Sequence, residues 1–140
     1  MNRKKLFIFL VILTFFIFLA DALANKFYWY YSVWYFDMPM HFFGGFLSGL
    51  IFIFILSSKS FSHKSPTAFI LKVLLGVLLI GISWEVFEFS ANTYFVKNLF
   101  LVNKLDSISD IFFDLAGGIG ATLYYLKRIV FNYQNSVQLQ

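Results

Sequence analysis

The chain has 140 residues, of which 60% are hydrophobic, 23% aromatic and only 13% charged, and its mean hydropathy is +0.77. A soluble domain carries about 45–50% apolar and about 25% charged residues, so the composition excludes an ordinary water-soluble fold and points to lipid as the solvent. The net charge of +4 does not mark a nucleic-acid binder, because the basic residues flank long apolar runs instead of interleaving with aromatics; the lack of cysteine excludes disulfides, thiol chemistry and Cys-ligated zinc.

A membrane-spanning helix needs about 20 mostly apolar residues. Four runs qualify: residues 6–24, 38–56, 68–91 and 108–131. They predict an all-α, polytopic membrane protein, a single transmembrane domain over residues 1–140 built as a four-helix bundle. The first run, preceded by Arg3-Lys4-Lys5 and ending near Ala22-Leu23-Ala24, also fits a cleavable signal peptide; the uncleaved anchor is the reading adopted, since the remaining runs already require a membrane. Between the first two runs lies NKFYWYYSVWYF, residues 25–36, an aromatic cluster suited to the headgroup level. Between the second and third lies SSKSFSHKSPT, residues 57–67, a polar loop rich in turn formers. Both prolines, Pro39 and Pro66, fall at expected helix starts.

Lys and Arg concentrate on the cytoplasmic side of membrane proteins. With four spans, one side carries Arg3, Lys4, Lys5, Lys59, Lys64, Lys72, Lys127 and Arg128, and the other carries Lys26, Lys97 and Lys104. Both termini are therefore expected in the cytoplasm, in a multi-pass protein of the cell membrane. On that topology Asp21, Asp37, Glu85, Glu88, Asp106, Asp110 and Asp114, which are all the acids of the chain, gather toward the extracytoplasmic end. Asp114 lies roughly 12 Å deeper than Asp106 along its helix at about 1.5 Å per residue. An intramembrane carboxylate costs roughly 2.5–3.5 kcal/mol on insertion scales and usually faces the bundle interior.

Three clusters carry the chemistry. Asp37 and His41 are four apart and share a helix face; they read either as a carboxylate-oriented imidazole or as a capping Asp beside an interfacial His. Glu85 and Glu88 also share a face, and two like charges in an apolar bundle need a cation or a shared proton; the plainer reading has one Glu protonated and the other near the surface. Asp106, Asp110 and Asp114 make one stripe. Asp106 can be explained as an N-cap, whereas Asp110 and Asp114 lie too deep for that. Gly45/Gly49 and Gly117/Ala121 are small-xxx-small pairs, whose role is close helix packing, and that packing is what would bring the acidic stripes together.

Carboxylates with one imidazole suit a divalent cation, either Mg²⁺, Mn²⁺ or Ca²⁺ through oxygen, or Zn²⁺ through the mixed set. The candidate ligands are His41, Glu85, Glu88, Asp110, Asp114, Asp37 and Asp106. Shared protons, as in a relay, are the alternative. No Arg or Lys stripe clamps a phosphate at this end, no phosphate-cradling glycine loop occurs, and Ser48, Ser83 and Ser90 have no basic partner by spacing. Binding therefore ranks above catalysis, with a metal-dependent enzyme acting on an envelope lipid or lipid-linked substrate as the alternative, and a structural subunit pairing its acids with a basic partner as the third.

The order of these clusters resembles the VanZ-like and YjdF-like small membrane proteins over roughly residues 37–121. The matching residues are Asp37, His41, Gly45, Glu85, Glu88, Asp106, Asp110, Asp114 and Gly118. Two features depart from the VanZ-like pattern: Glu85 pairs with Glu88 where a Glu–Gln pair is usual, and Lys104 stands nearest where an Arg is expected before the aspartates. The resemblance implies a bacterial or archaeal envelope protein surrounded by membrane lipids, in a family whose members are in some cases linked to glycopeptide resistance; it lends topology rather than mechanism.

Overall fold

The structure, a computed structural model, describes residues 3–57, 65–91 and 104–138. All regular structure among them is helical: α1 (Arg3–Lys26), α2 (Trp29–Ser32), α3 (Asp37–Leu56), α4 (Pro66–Ala91) and α5 (Lys104–Gln138). The four long helices overlap the four apolar runs. Of these, α1, α3 and α4 are long and apolar enough to cross a membrane. The remaining helix, α5, has 35 residues and thus the length, but Asp106, Asp110, Asp114 and its glycines dilute its apolar content. Lys59, Lys64 and Lys97, on which part of the orientation argument rests, lie outside the described residues, as does most of the 57–67 loop.

The helix boundaries have local causes. α3 opens with Asp37 in its first turn and Pro39 two residues later. An acid there complements the helix dipole, and a first-turn proline forgoes only an N–H that has no intrahelical partner. α4 begins at Pro66, with the Ser65 hydroxyl accepting a bond from the Ala68 N–H at 3.4 Å, a Ser cap on the exposed donors. Within α4, the Ser83 and Ser90 hydroxyls donate to the Leu79 and Val86 carbonyls at 2.7 Å. That satisfies each hydroxyl inside its own helix, as an apolar surrounding demands. Between α1 and α3 the chain reverses at Tyr28, whose φ of 57° is left-handed, a conformation that costs a non-glycine residue of order 1 kcal/mol. Around this reversal Phe27, Trp29, Tyr30 and Phe36 pack ring against ring with centroids 5.3–5.9 Å apart. Tyr31 and Trp34 are 85% and 80% exposed, as residues of an aromatic membrane-interface belt are.

α3 packs most extensively against α5, and also touches α4 and α1. The direction of each helix follows from which residues meet. Gly45 faces Asp114 and Gly49 faces Ala121, so α3 and α5 run parallel. Phe69 packs on Tyr125 and Gly81 on Asp114, so α4 runs antiparallel to α5. Phe7 meets Phe54, which makes α1 antiparallel to α3. A Cβ built on Gly49 would stand 2.9 Å from the Ala121 Cβ and 3.2 Å from the Gly118 Cα. The small-residue pairs read from the sequence are thus the seam along which α3 and α5 approach.

The two ends of the bundle differ. At one end lies the apolar core, formed by Leu6, Leu10, Leu50, Ile53, Phe69, Val73, Ala121 and Tyr125. The guanidinium groups of Arg3 and Arg128 lie over the Phe54 and Tyr124 rings there, at 4.5 and 5.7 Å. The acids lie toward the other end. Outward, α1 and α4 present Phe15, Phe18, Leu71 and Leu79, each at least 58% exposed, which in a membrane protein is the lipid-facing surface.

Candidate metal centre

His41 stands at the centre of the polar end. It lies one turn into α3, where the helical repeat sets it above Asp37 on the same face, and its ring projects toward α5. Three carboxylates approach it. Its Nε2 lies 3.7 Å from Asp37 Oδ1 and 3.9 Å from Asp110 Oδ1, and its Nδ1 lies 3.5 Å from Asp114 Oδ1. The two α5 aspartates, one turn apart, therefore divide the ring between them: Asp114 faces one nitrogen and Asp110 the other. His41, Asp110 and Asp114 are 6%, 4% and 6% exposed, while the Asp37 side chain, at 35%, opens toward the surface.

Close helix approach is what makes this meeting reachable by short side chains. A Cβ on Gly45 would collide with the Asp114 carbonyl, and one on Gly117 with the Phe42 carbonyl. Hydrogens at these two positions let the α3 and α5 backbones touch, which brings Asp110 and Asp114 to an imidazole on the neighbouring helix.

The other acids surround this group without entering it. Glu85, on α4, is half-buried, and its Oε1 is shielded from solvent with no hydrogen-bond partner among the described residues. It is near enough to interact electrostatically with Asp37, Glu88 and Asp110. Glu88 and Asp106 are exposed, within electrostatic range of Asp37. Asp21 is engaged elsewhere: the Tyr30 hydroxyl donates to its Oδ1 at 2.8 Å, and the Asn25 amide donates to the same oxygen at 3.2 Å. Partial burial and this bond to a carboxylate push the Tyr30 phenol above its usual range, because both disfavour a phenolate. This latch ties the aromatic turn to α1. Nothing in the sequence beyond the presence of Asp21 signals it, because the partners are nine residues apart across an irregular reversal.

Three carboxylates facing one imidazole leave an excess of negative charge even when the ring is protonated. Such a group persists in a poorly solvated site only with a cation or with shared protons. Asp37, His41 and Asp110 each offer a donor atom, and these atoms all lie within 4.8 Å of one another. Ligand atoms around a tetrahedral ion with bonds of about 2.1 Å stand roughly 3.4 Å apart. The 3.7 and 3.9 Å separations to Nε2 are a few tenths of an ångström wider, a gap that rotamer adjustment closes. Asp114 then occupies the position of the carboxylate that receives the second ring N–H of a ligating histidine.

Among known proteins, the chain is similar to an uncharacterized protein of Thermotoga maritima, with 29% identity over 116 residues, which cover 82% of this chain and 57% of that relative. The chain thus spans little more than half the length of the relative. No solved structure matches it. A family model described as a predicted membrane protein matches residues 2–129, nearly the whole chain and including every acid discussed above. Together with three helices able to span a bilayer, this match places the chain in the membrane, as a member of the predicted membrane protein family DUF2238.

Proposed function

We propose that this is a four-span, VanZ/YjdF-like membrane protein that binds a divalent cation near its extracytoplasmic face, through Asp37, His41 and Asp110. The observation that carries the reading is the convergence of three donor atoms from two helices within 4.8 Å, two of them on residues that are almost fully buried. Carboxylate oxygens with one imidazole suit Mg²⁺, Mn²⁺ or Zn²⁺. A bound ion would neutralise the excess charge and offer a Lewis acid toward the mouth beside Asp37. Its test is metal analysis and Zn²⁺ and Mn²⁺ titration of detergent-purified protein. The wild type is expected to take up one ion per chain, and His41→Ala to lose it. Equal uptake by both proteins would sink the assignment.

The fourth span is α5, a helix of 35 residues packed against α3 and α4. Both termini are cytoplasmic in this arrangement. The natural absence of cysteine makes the test clean. Single cysteines introduced at Asn2 and at Gln140 are expected to react with an impermeant maleimide only after the membrane is opened. Labelling of either one in intact cells would overturn the topology.

One observation favours chemistry over binding alone. The Glu85 Oε1, without a hydrogen-bond partner among the described residues and within electrostatic reach of Asp110, is an acceptor suited to a general base. On this second reading the protein is a metal-dependent enzyme acting on an envelope lipid or lipid-linked substrate. Glu85→Gln would then abolish turnover while cation uptake persists.

A further inference from the structure

We infer that Gly81 is a positioning residue for the metal centre: its missing side chain makes the space in which the Asp114 carboxylate lies against His41. This rests on the cation-binding reading for its consequence, though not for its geometry. Asp114 reaches inward from α5, with Oδ1 turned to His41 Nδ1 at 3.5 Å. Its other oxygen points at α4, where a Cβ on Gly81 would stand 2.5 Å from Oδ2 and 3.4 Å from Cγ. On the α3 side the carboxylate is walled by Gly44, whose Cβ would lie 3.9 Å from Oδ1, and by Gly45 against the Asp114 backbone. Glycines from two helices therefore shape the pocket around one carboxylate.

The kind of atom met decides what a methyl group at each position would do. At Gly45 and Gly117 it meets backbone, which cannot step aside. At Gly81 it meets the end of a two-torsion side chain. The Gly81→Ala protein therefore folds, and the carboxylate turns away. His41 then loses the acceptor at Nδ1 that fixes its ring, and Nε2 is no longer held toward Asp37 and Asp110. Removing the outer partner of a ligating histidine typically weakens metal binding about 10–100-fold.

Gly76 supplies the control. It lies on the same helix, and a Cβ there would also meet a movable side chain, the Phe52 ring, at 2.5 Å, in a part of the α3–α4 contact that holds none of these acids. The experiment uses full-length protein in detergent, labelled with ¹⁵N-histidine. His63, the second of the two histidines, is replaced by Gln so that His41 alone reports. The metal-free wild type is expected to show a slowly exchanging, downfield Nδ1–H proton, which the ring carries whether or not Nε2 is also protonated. Gly81→Ala is expected to lose that proton to solvent exchange and to bind Zn²⁺ about 10–100-fold more weakly, and Gly76→Ala to match wild type in both. Retention of the proton and of Zn²⁺ affinity in Gly81→Ala overturns the inference, as does its equal loss in Gly76→Ala, which would mark a general packing effect. If wild type and Gly81→Ala differ in the Nδ1–H proton but neither takes up Zn²⁺, the positioning role stands and the cation reading falls.

Discussion

Replacing Gly117 with valine is expected to remove most of the folded protein. A Cβ at this position would collide with the Phe42 carbonyl and stand 2.6 Å from the Phe46 nitrogen. Both are α3 backbone, held by helical hydrogen bonds, so neither can rotate away. Forcing extra methyl groups into a well-packed contact costs typically 1–3 kcal/mol even where side chains can adjust. With backbone on one side of the clash, and valine adding two further carbons, the loss should exceed about 3 kcal/mol. The seam also carries the function, because displaced α5 backbone takes Asp110 and Asp114 away from His41. Any surviving folded fraction should therefore bind no divalent cation. Gly120→Ala, in the same helix, is the matched comparison: its Cβ would meet the Phe46 ring at 3.5 Å, an ordinary contact, and wild-type behaviour is expected. Thermal unfolding in detergent, followed by circular dichroism and size-exclusion profile, reads both. A Gly117→Val protein as stable as wild type would mean that α3 and α5 do not touch along this seam.

The same seam shows where sequence reading reaches and where it stops. Length and apolar content located the long helices within a few residues: residues 38–56 against Asp37–Leu56, and 68–91 against Pro66–Ala91. Pro39, Pro66 and the flanking polar residues mark those ends by local chemistry. The apolar run begins at 108 in the sequence and the helix at Lys104 in the structure, because Lys104, Asp106 and Ser107 are polar and lengthen the helix without lengthening the apolar run. Asp37 and His41 were legible as a pair since a four-residue spacing alone puts them on one face. The division of Asp110 and Asp114 between the two ring nitrogens was not, because it depends on the register of α5 against α3, which only packing sets. Within the acidic stripes, the exposure of Glu88 and Asp106 beside the burial of Asp110 and Asp114 depends likewise on how each helix is rotated. Gly81 carried no signal at all. It lies five residues from Gly76, outside the small-xxx-small spacing, and its neighbour Asp114 is more than thirty residues away in the chain.

Asp110→Asn is expected to make the cation-free protein more stable and the cation-loaded protein less stable than wild type. Asp110 is 4% exposed and lies 3.9 Å from His41 Nε2, in a group where three carboxylates share one imidazole. Removing one partner of an isolated buried pair destabilises by stranding the other charge. Here His41 keeps Asp37 and Asp114, so what the amide removes is mainly repulsion and the cost of a carboxylate in a poorly solvated site. That cost is roughly 2.5–3.5 kcal/mol on insertion scales, and a gain of about 1–2 kcal/mol is expected once the lost attraction to His41 is subtracted. Cation binding reverses the order. A ligand present at 100 times its Kd stabilises the state that binds it by about 2.7 kcal/mol. Wild type should gain that amount from Zn²⁺ or Mn²⁺, while the variant, short of one anionic donor, should gain almost none. Melting curves of the two proteins with chelator and with excess cation read all four values, and the crossing of the two pairs is the signature. A variant less stable in chelator, with an undiminished response to cation, would rule out Asp110 as a ligand held under charge strain. A shared-proton site leaves a different mark: the variant gains stability in chelator, and neither protein responds to the metal.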